Sequence, residues 1–359
     1  MSTDYSFKGW VGKSSDCIEK QGLVYTDIEP KKFTEDDVDI RISHCGICGS
    51  DVHTLTNGWG GTHYPITVGH EIVGTAVKVG KNVQGIKVGD RVGVGAQSSS
   101  CLSCGECKVD NEPYCDGMVT TYNGTYPDGT QSTGGYADYT RVPSHFVFKI
   151  PDALPSEVAA PMLCGGITMY SPLKRHGCGP GKSVGIIGIG GLGHFGILFA
   201  KALGADRITA ISRKSNKAAD ALAMGADAYV ATDDDPKWAS RHANTLDLIV
   251  STVNSPKLPI DSYLQLLRPH GTFVQVGAPE DSVPGFSVFP LIVKGVSISG
   301  SIIGSPKDIE EMLELSARKG VKSWVNPWPL EKVNDALQAF ERGEPRYRIV
   351  LVNEKHVGK

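Results

Sequence analysis

Four cysteines fall within fifteen residues, Cys101, Cys104, Cys107 and Cys115, spaced C-x2-C-x2-C-x7-C. Thiolates at this spacing can close a tetrahedron around zinc, and an all-cysteine shell leaves no position open to substrate, so the expected site is structural. Its alternatives are four loop cysteines left reduced, or a nucleic-acid-binding zinc ribbon, which the acidic neighbours Glu106, Asp110, Glu112 and Asp116 oppose. A second set is dispersed: Cys48 in HCGICGSDVH, His70 within Gly69-His70-Glu71, and Cys164 in CGGIT. Two thiolates and one imidazole would leave a fourth position for water or substrate, as a catalytic zinc requires. Spacing leaves other readings open, because Cys45 and Cys48 form a CxxC that could be a redox pair, and a lone Cys164 or His70 could be buried and structural.

A third constellation is Gly188-x-Gly190-Gly191-Leu192-Gly193, set between the apolar run SVGIIGI and a helical stretch. Glycines there allow a tight turn and let a dinucleotide pyrophosphate approach helix N-terminal amides; the alternative is glycine used only for helix-sheet packing. About 20 residues beyond the first glycine, where an acid would hold the ribose 2′-hydroxyl of NAD, the chain has Ser212, Arg213 and Lys214, with Lys217 following. Cations in place of the acid favour a 2′-phosphate, hence NADP(H), over the alternative of a solvated basic helix start.

The elements that must position these groups fall into two textures. From about 20 to 150, short strand-like runs such as VDIRIS, EIVGTAVKVG, DRVGVG and GGYADYTRV are broken by glycine, which predicts an irregular, mainly antiparallel β domain. From about 183, six apolar strands alternate with helical stretches, which predicts a doubly wound parallel sheet. After Gly300, two helical segments, Pro306 to Lys319 and Leu330 to Arg342, lead to a last strand, YRIVLV, expected to rejoin the first domain. The boundaries that follow are 1–162 for the first part of the β domain, with its zinc lobe at about 98–118, 163–302 for the dinucleotide domain, and 303–359 for the return.

Composition agrees with two domains. The 359 residues exceed one domain of roughly 150, and 40% hydrophobic with 21% charged residues excludes a disordered, collagen-like or coiled-coil chain. A net charge of −3 does not indicate a basic surface for nucleic acid, although a local patch can hide in the average. Met1 to Trp10 lacks a basic start followed by an apolar run, so no signal peptide is expected and the location is expected to be cytoplasmic. The most apolar window, Val184 to Leu203, is interrupted by six glycines, His194 and Lys201, so no membrane span is expected.

Taken in order, GHEIVGTAVKVG, VGDRVGVG, the four-cysteine lobe, CGGITMYSPL, GIGGLGH and RYRIVLV resemble the zinc-dependent medium-chain dehydrogenase/reductase family, and within it the NADP-dependent, cinnamyl alcohol dehydrogenase-like branch. The resemblance spans nearly the whole chain. It implies an α/β protein with a GroES-like, mainly β catalytic domain and a Rossmann domain, usually a homodimer, holding one catalytic and one structural zinc and NADP(H). By resemblance Cys48, His70 and Cys164 are zinc ligands, the set known from alcohol dehydrogenases themselves. Glu71 can enter the fourth position when substrate is absent, Asp51 orients the ligand histidine, and Cys45 is a buried thiol without a ligand role.

The implied reaction interconverts alcohols and aldehydes. Zinc lowers the pKa of a bound hydroxyl from about 16 towards 7, Ser50 takes its proton, His53 passes it towards solvent, and hydride moves to NADP+; in reverse, zinc polarises the aldehyde. The resemblance also places Thr168, Val276, Gly277, Ala278, Ser301, Ile302 and Ile303 near the nicotinamide and Arg348 at a phosphate. Trp59, Met118, Tyr122 and Ile302 are candidates for an apolar substrate pocket. Lignin-forming plant members carry tryptophan where this chain has Thr120 and phenylalanine near Ile302, so the expected substrates are broad: cinnamyl-type aromatic and medium-chain aliphatic aldehydes. The alternatives are a secondary-alcohol or polyol dehydrogenase, and a catalytically silent NADPH-binding protein. A zinc-free alkene reductase of the same fold would lack Cys48, His70 and Cys164.

Overall fold

The computed structural model describes residues 4–283 and 285–358. It divides the chain into two compact units, one running to Cys164 and resuming at Gly304, the other Gly165–Ile303.

The first unit is built on a seven-stranded sheet. Its path runs Val325–Pro329, Arg348–Val352, Asp37–Gly46, Ile72–Val79, Arg91–Val94 and Phe148–Lys149, with Tyr139–Pro143 also pairing to Asp37–Gly46. Every pairing is antiparallel except that between the last two strands of the chain. Close packing explains the glycines of the motifs: a Cβ on Gly74 would lie 2.2 Å from the Arg41 carbonyl on the neighbouring strand. Val38, Ile40, Ile42, Ile72 and Val92 from the sheet, and Leu337 and Ile349 from the returning segment, share one core. The helix Pro306–Lys319 starts as its sequence directs, with Ser305 accepting the Asp308 N–H at 3.1 Å and proline in the first turn, and ends at Gly320 with φ +68°. A strand pair ahead of residue 28, Lys8–Val11 with Val24–Asp27, is additional to the runs read from the sequence.

The second unit is a wholly parallel six-stranded sheet. Its spatial order is Ala228–Ala231, Arg207–Ser212, Ser183–Ile187, Leu246–Ser251, Leu267–Gln275, Ser297–Gly300: third, second, first, fourth, fifth, sixth. This is the doubly wound order, and its reversal beside Ser183–Ile187 opens a crevice at the strands' carboxyl ends. The strand there is buried at all five positions, as expected of a strand with helices on both faces. The helix Ile260–Leu266 runs directly into the nine-residue strand Leu267–Gln275. A helix of six residues, Phe289–Lys294, was not anticipated, because it is too short to show a helical period. Among the described residues, no helix is long and apolar enough to cross a membrane.

Candidate active site and dinucleotide loop

The strand Asp37–Gly46 runs into the short helix Gly49–Leu55, and Cys48 caps that helix. His70 follows Gly69, whose φ of +102° turns the chain into the strand Ile72–Val79. Cys164 ends a turn formed by Ala160–Leu163. The donor atoms of these three residues lie within 4.8 Å of one another, all buried. The two sulfurs are 3.8 Å apart, which is the edge of a tetrahedron with Zn–S bonds of about 2.3 Å. The Nε2 of His70 is buried without a hydrogen-bond partner, so a ring nitrogen and two sulfurs converge on one point. These residues fit zinc.

The charges around them ask for a cation. The Cys164 thiol, together with His70 and Arg348, outweighs burial and holds the Cys48 thiol well below its ordinary value. Burial opposes charge on His70, but its contact with Cys48 and the charges of Asp51, Cys48 and Glu71 lift it to about 9. Burial, aided by Cys48 and opposed by Arg348, raises Glu71 to about 7. The buried guanidinium of Arg348 faces these acids.

Asp51 was expected to orient the ring of His70. Its carboxylate instead accepts the Cys48 N–H at 2.8 Å, the Gly69 N–H at 3.1 Å and the Tyr136 hydroxyl at 2.9 Å. With its oxygens so engaged, it holds the backbone on both sides of the site, and no hydrogen bond joins it to the His70 ring among the described residues. Tyr122, expected in a substrate pocket, is 5% exposed and stacks on the His70 ring, centroids 5.0 Å apart and planes 14° from parallel. Ser50 Oγ lies 3.6 Å from Cys48 Sγ. Ser50 and His53 are three residues apart on the same helix and so share a face. Trp59, expected as a pocket wall, lies flat on His53 at 4.6 Å. Met118 is half-buried and its N–H donates to the Cys115 carbonyl at 2.9 Å, beside the cysteine lobe.

In that lobe the four thiols of Cys101, Cys104, Cys107 and Cys115 also converge within 4.8 Å, with sulfur separations of 3.5 to 4.0 Å. Backbone N–H groups of Cys104, Cys107 and Gly117 point at the sulfurs. Hydrogen bonds from Ser103 and the Cys104 amide pull Cys101 down to about 6. Burial, with the Cys104 and Cys115 thiols, pushes Cys107 up to about 11; the convergence of four sulfurs fits a closed zinc site.

In the second unit the glycine loop joins Ser183–Ile187 to the helix Gly193–Leu203, which Leu192 caps. Gly188 has φ +85°. A Cβ on Gly193 would stand 2.0 Å from the Gly188 carbonyl, whereas one on Gly190 would meet nothing within 4 Å. Packing therefore demands the first and last glycines, and Gly190 leaves its backbone open to a ligand. The Gly191 carbonyl accepts from His194 Nδ1 at 2.8 Å. Ser212 ends the second strand, with Arg213 and Lys214 exposed beyond it. Lys217 Nζ donates to the Ile189 carbonyl at 2.6 Å, which brings a cation onto the loop itself.

Val276 and Gly277 donate to the Ser251 carbonyl, and Ala278 is exposed. Ser301, Ile302 and Ile303 follow the edge strand Ser297–Gly300, and Thr168 lies in the helix Gly165–Arg175, 9% exposed. Gln275 was overlooked by the sequence reading: its Nε2 donates to the Val253 and Gly277 carbonyls at 2.9 and 2.7 Å and ties two of these loops together. Its signal was a lone amide inside the apolar run TFVQVG. Arg348, expected at a phosphate, lies in the first unit and donates to Glu71 Oε1 and the Ile47 carbonyl. Its strand pairs with Asp37–Gly46, and that register turns the guanidinium to the buried carboxylate beside His70.

Residues 34–152 match the alcohol dehydrogenase GroES-like domain family, and residues 191–318 the zinc-binding dehydrogenase family. NADP-dependent alcohol dehydrogenase 6 of Saccharomyces cerevisiae is 48% identical over 331 residues, 91% of each chain. A cinnamyl alcohol dehydrogenase of Sorghum bicolor superposes with a TM-score of 0.91 at 36% identity, covering 97% of this chain and 98% of that one. The cinnamyl alcohol dehydrogenase of Helicobacter pylori, solved with NADP(H), gives 0.89 at 33% identity over 98% and 99%. The chain belongs to the zinc-binding, medium-chain alcohol dehydrogenase family. Within it the chain falls in the cinnamyl alcohol dehydrogenase-like branch and is an oxidoreductase of the alcohol dehydrogenase/aldehyde reductase type.

Proposed function

We propose that this enzyme interconverts primary alcohols and aldehydes of broad structure, cinnamyl-type aromatic and medium-chain aliphatic, with Cys48, His70 and Cys164 as catalytic zinc ligands. It works with zinc and NADP(H). The observation that carries the reading is the convergence of three buried donors, a set that leaves the fourth position of a tetrahedral zinc to substrate. Zinc in that position supplies Lewis acidity towards a substrate oxygen. The residues do the rest. Ser50, beside Cys48, is placed to take or give the substrate proton, and His53 on the same helix face relays it outward, which an imidazole suits near neutral pH. Glu71 stands next to the ligand set as a further carboxylate. Cys101, Cys104, Cys107 and Cys115 hold the structural zinc.

On the second unit, the Gly190 backbone and the start of the helix Gly193–Leu203 receive the pyrophosphate. Ser212, Arg213 and Lys217 receive the 2′-phosphate. Thr168, Val276, Gly277, Ala278, Ser301, Ile302 and Ile303 border the nicotinamide end. In the first unit Trp59 and Met118 remain the substrate contacts in this reading, with Tyr122 as the wall behind His70.

A homodimer is proposed from the second unit's edge. Among the described residues the strand Ser297–Gly300 has a neighbour on one side only, and beside it in sequence Phe289, Ile292 and Val293 are 69%, 74% and 66% exposed. An open strand edge with apolar residues suits an isologous pairing with a second copy. All nine cysteines are free of disulfides, which agrees with a reducing compartment such as the cytoplasm.

The test is loss of nicotinamide absorbance when the purified protein meets cinnamaldehyde with NADPH, run beside NADH and beside a panel of ketones and polyols. Rapid oxidation of NADPH by the aldehyde is expected. Turnover of polyols or ketones alone would overturn the substrate class.

A further inference from the structure

The segment Gly134-Gly135-Tyr136 plays no part in the chemistry above, yet it runs along the backbone that carries His70. Gly134 N–H donates to the Thr67 carbonyl at 2.8 Å, Gly135 N–H to Gly69 at 2.7 Å and Tyr136 N–H to Val68 at 3.0 Å. The fit excludes side chains. A Cβ on Gly134 would come within 2.4 Å of the Val68 carbonyl, one on Gly135 within 2.4 Å of Ile72, and one on Gly69 within 2.6 Å of the Tyr136 ring. Tyr136 itself is wholly buried, and its hydroxyl donates to Asp51 Oδ2 at 2.9 Å. The same carboxylate takes the N–H of Cys48 and the N–H of Gly69. Asp51 is thus the knot between the segments bearing two donors, and Tyr136 supplies it with a side-chain donor.

We propose that Tyr136 is a positioning residue for the catalytic metal: by its hydrogen bond to Asp51 it sets the separation of the Cys48 and His70 segments, and so the affinity of the three-donor site. The inference rests on reading Cys48, His70 and Cys164 as zinc ligands. Its physical basis is that a buried carboxylate keeps one orientation only while its oxygens are saturated by donors. With the phenol removed, Asp51 gains freedom to turn, and both backbone tethers loosen with it. Partners one step removed from a metal commonly change its affinity about 10- to 100-fold.

Metal analysis of the wild-type protein comes first: two zinc ions per chain are expected, and one would overturn the ligand reading itself. Tyr136→Phe keeps the ring and removes only the hydroxyl. Chelator competition on this variant is expected to show one site weakened about 10- to 100-fold and the four-cysteine site unchanged, with altered visible bands after cobalt substitution. Asp51→Asn should weaken the same site, and the double variant should lose no more than Asp51→Asn alone, because both changes break one linkage. Wild-type affinity in Tyr136→Phe, or losses that multiply in the double variant, would overturn the proposal. Should Tyr136→Phe not fold, 3-fluorotyrosine placed at 136, a stronger donor on the same ring, is expected to tighten the site; unchanged affinity would count against the proposal equally.

Discussion

Arg348 Nη2 lies 2.5 Å from Glu71 Oε1, and the two side chains are 3% and 0% exposed. The pair fastens the strand Arg348–Val352 to the residue after His70, so the C-terminal return borders the proposed zinc ligands. Removing one partner of a buried pair leaves an uncompensated charge, at a cost of about 3–5 kcal/mol. Arg348→Ala is therefore expected to lower the urea midpoint strongly, and Arg348→Leu combined with Glu71→Gln to regain part of the loss. A midpoint for Arg348→Ala close to wild type would show that water or metal already compensates Glu71.

Arg213 stands exposed just past the second strand of the parallel sheet. A charge-assisted hydrogen bond contributes about 1.5–3 kcal/mol, so Arg213→Ala should raise the KM for NADPH about ten- to hundredfold. The KM for NADH should barely move. Steady-state kinetics with both cofactors check this, and equal effects on the two would remove Arg213 from the 2′-phosphate site.

Ile292, on the helix Phe289–Lys294, is 74% exposed. Ile292→Lys would bring charges into the proposed pairing of two copies. Sedimentation velocity is expected to show a dimer for the wild type and a shift towards monomer for the variant. A wild-type monomer at micromolar concentration would refute the pairing.

His44 and His356 in the first unit, and His176 in the second, are held below the ordinary imidazole value by burial. The folded chain keeps them neutral, whereas the unfolded chain protonates them near 6.5. Their contribution is complete above that value and is lost as pH falls from about 6.5 through the depressed folded values. Their part of the stability should thus decline on acidification from pH 7.5 to 5.5, against the opposite contribution of Glu71, raised to about 7, and His44→Gln, which cannot titrate, should remove its share of that decline. Urea midpoints across this range decide it; a profile for His44→Gln parallel to wild type would exclude His44 as a source.

The sequence by itself determined whatever a short stretch of chain can encode. The four cysteines of the lobe span fifteen residues, so their spacing alone nearly specifies a closed tetrahedron. The glycine loop was legible for the same reason, since a tight turn between strand and helix is local, and alternating apolar runs disclosed the parallel sheet. The catalytic donors were legible only through the family's order of motifs, because 116 residues separate Cys48 from Cys164. Tertiary structure alone decided which groups stand behind them. Tyr136 reaches Asp51 across 85 residues, and Arg348 reaches Glu71 across 277. Tyr122 stacks on the ring of His70. Such contacts depend on the register and packing of strands remote in the chain, and spacing in sequence carries no record of them.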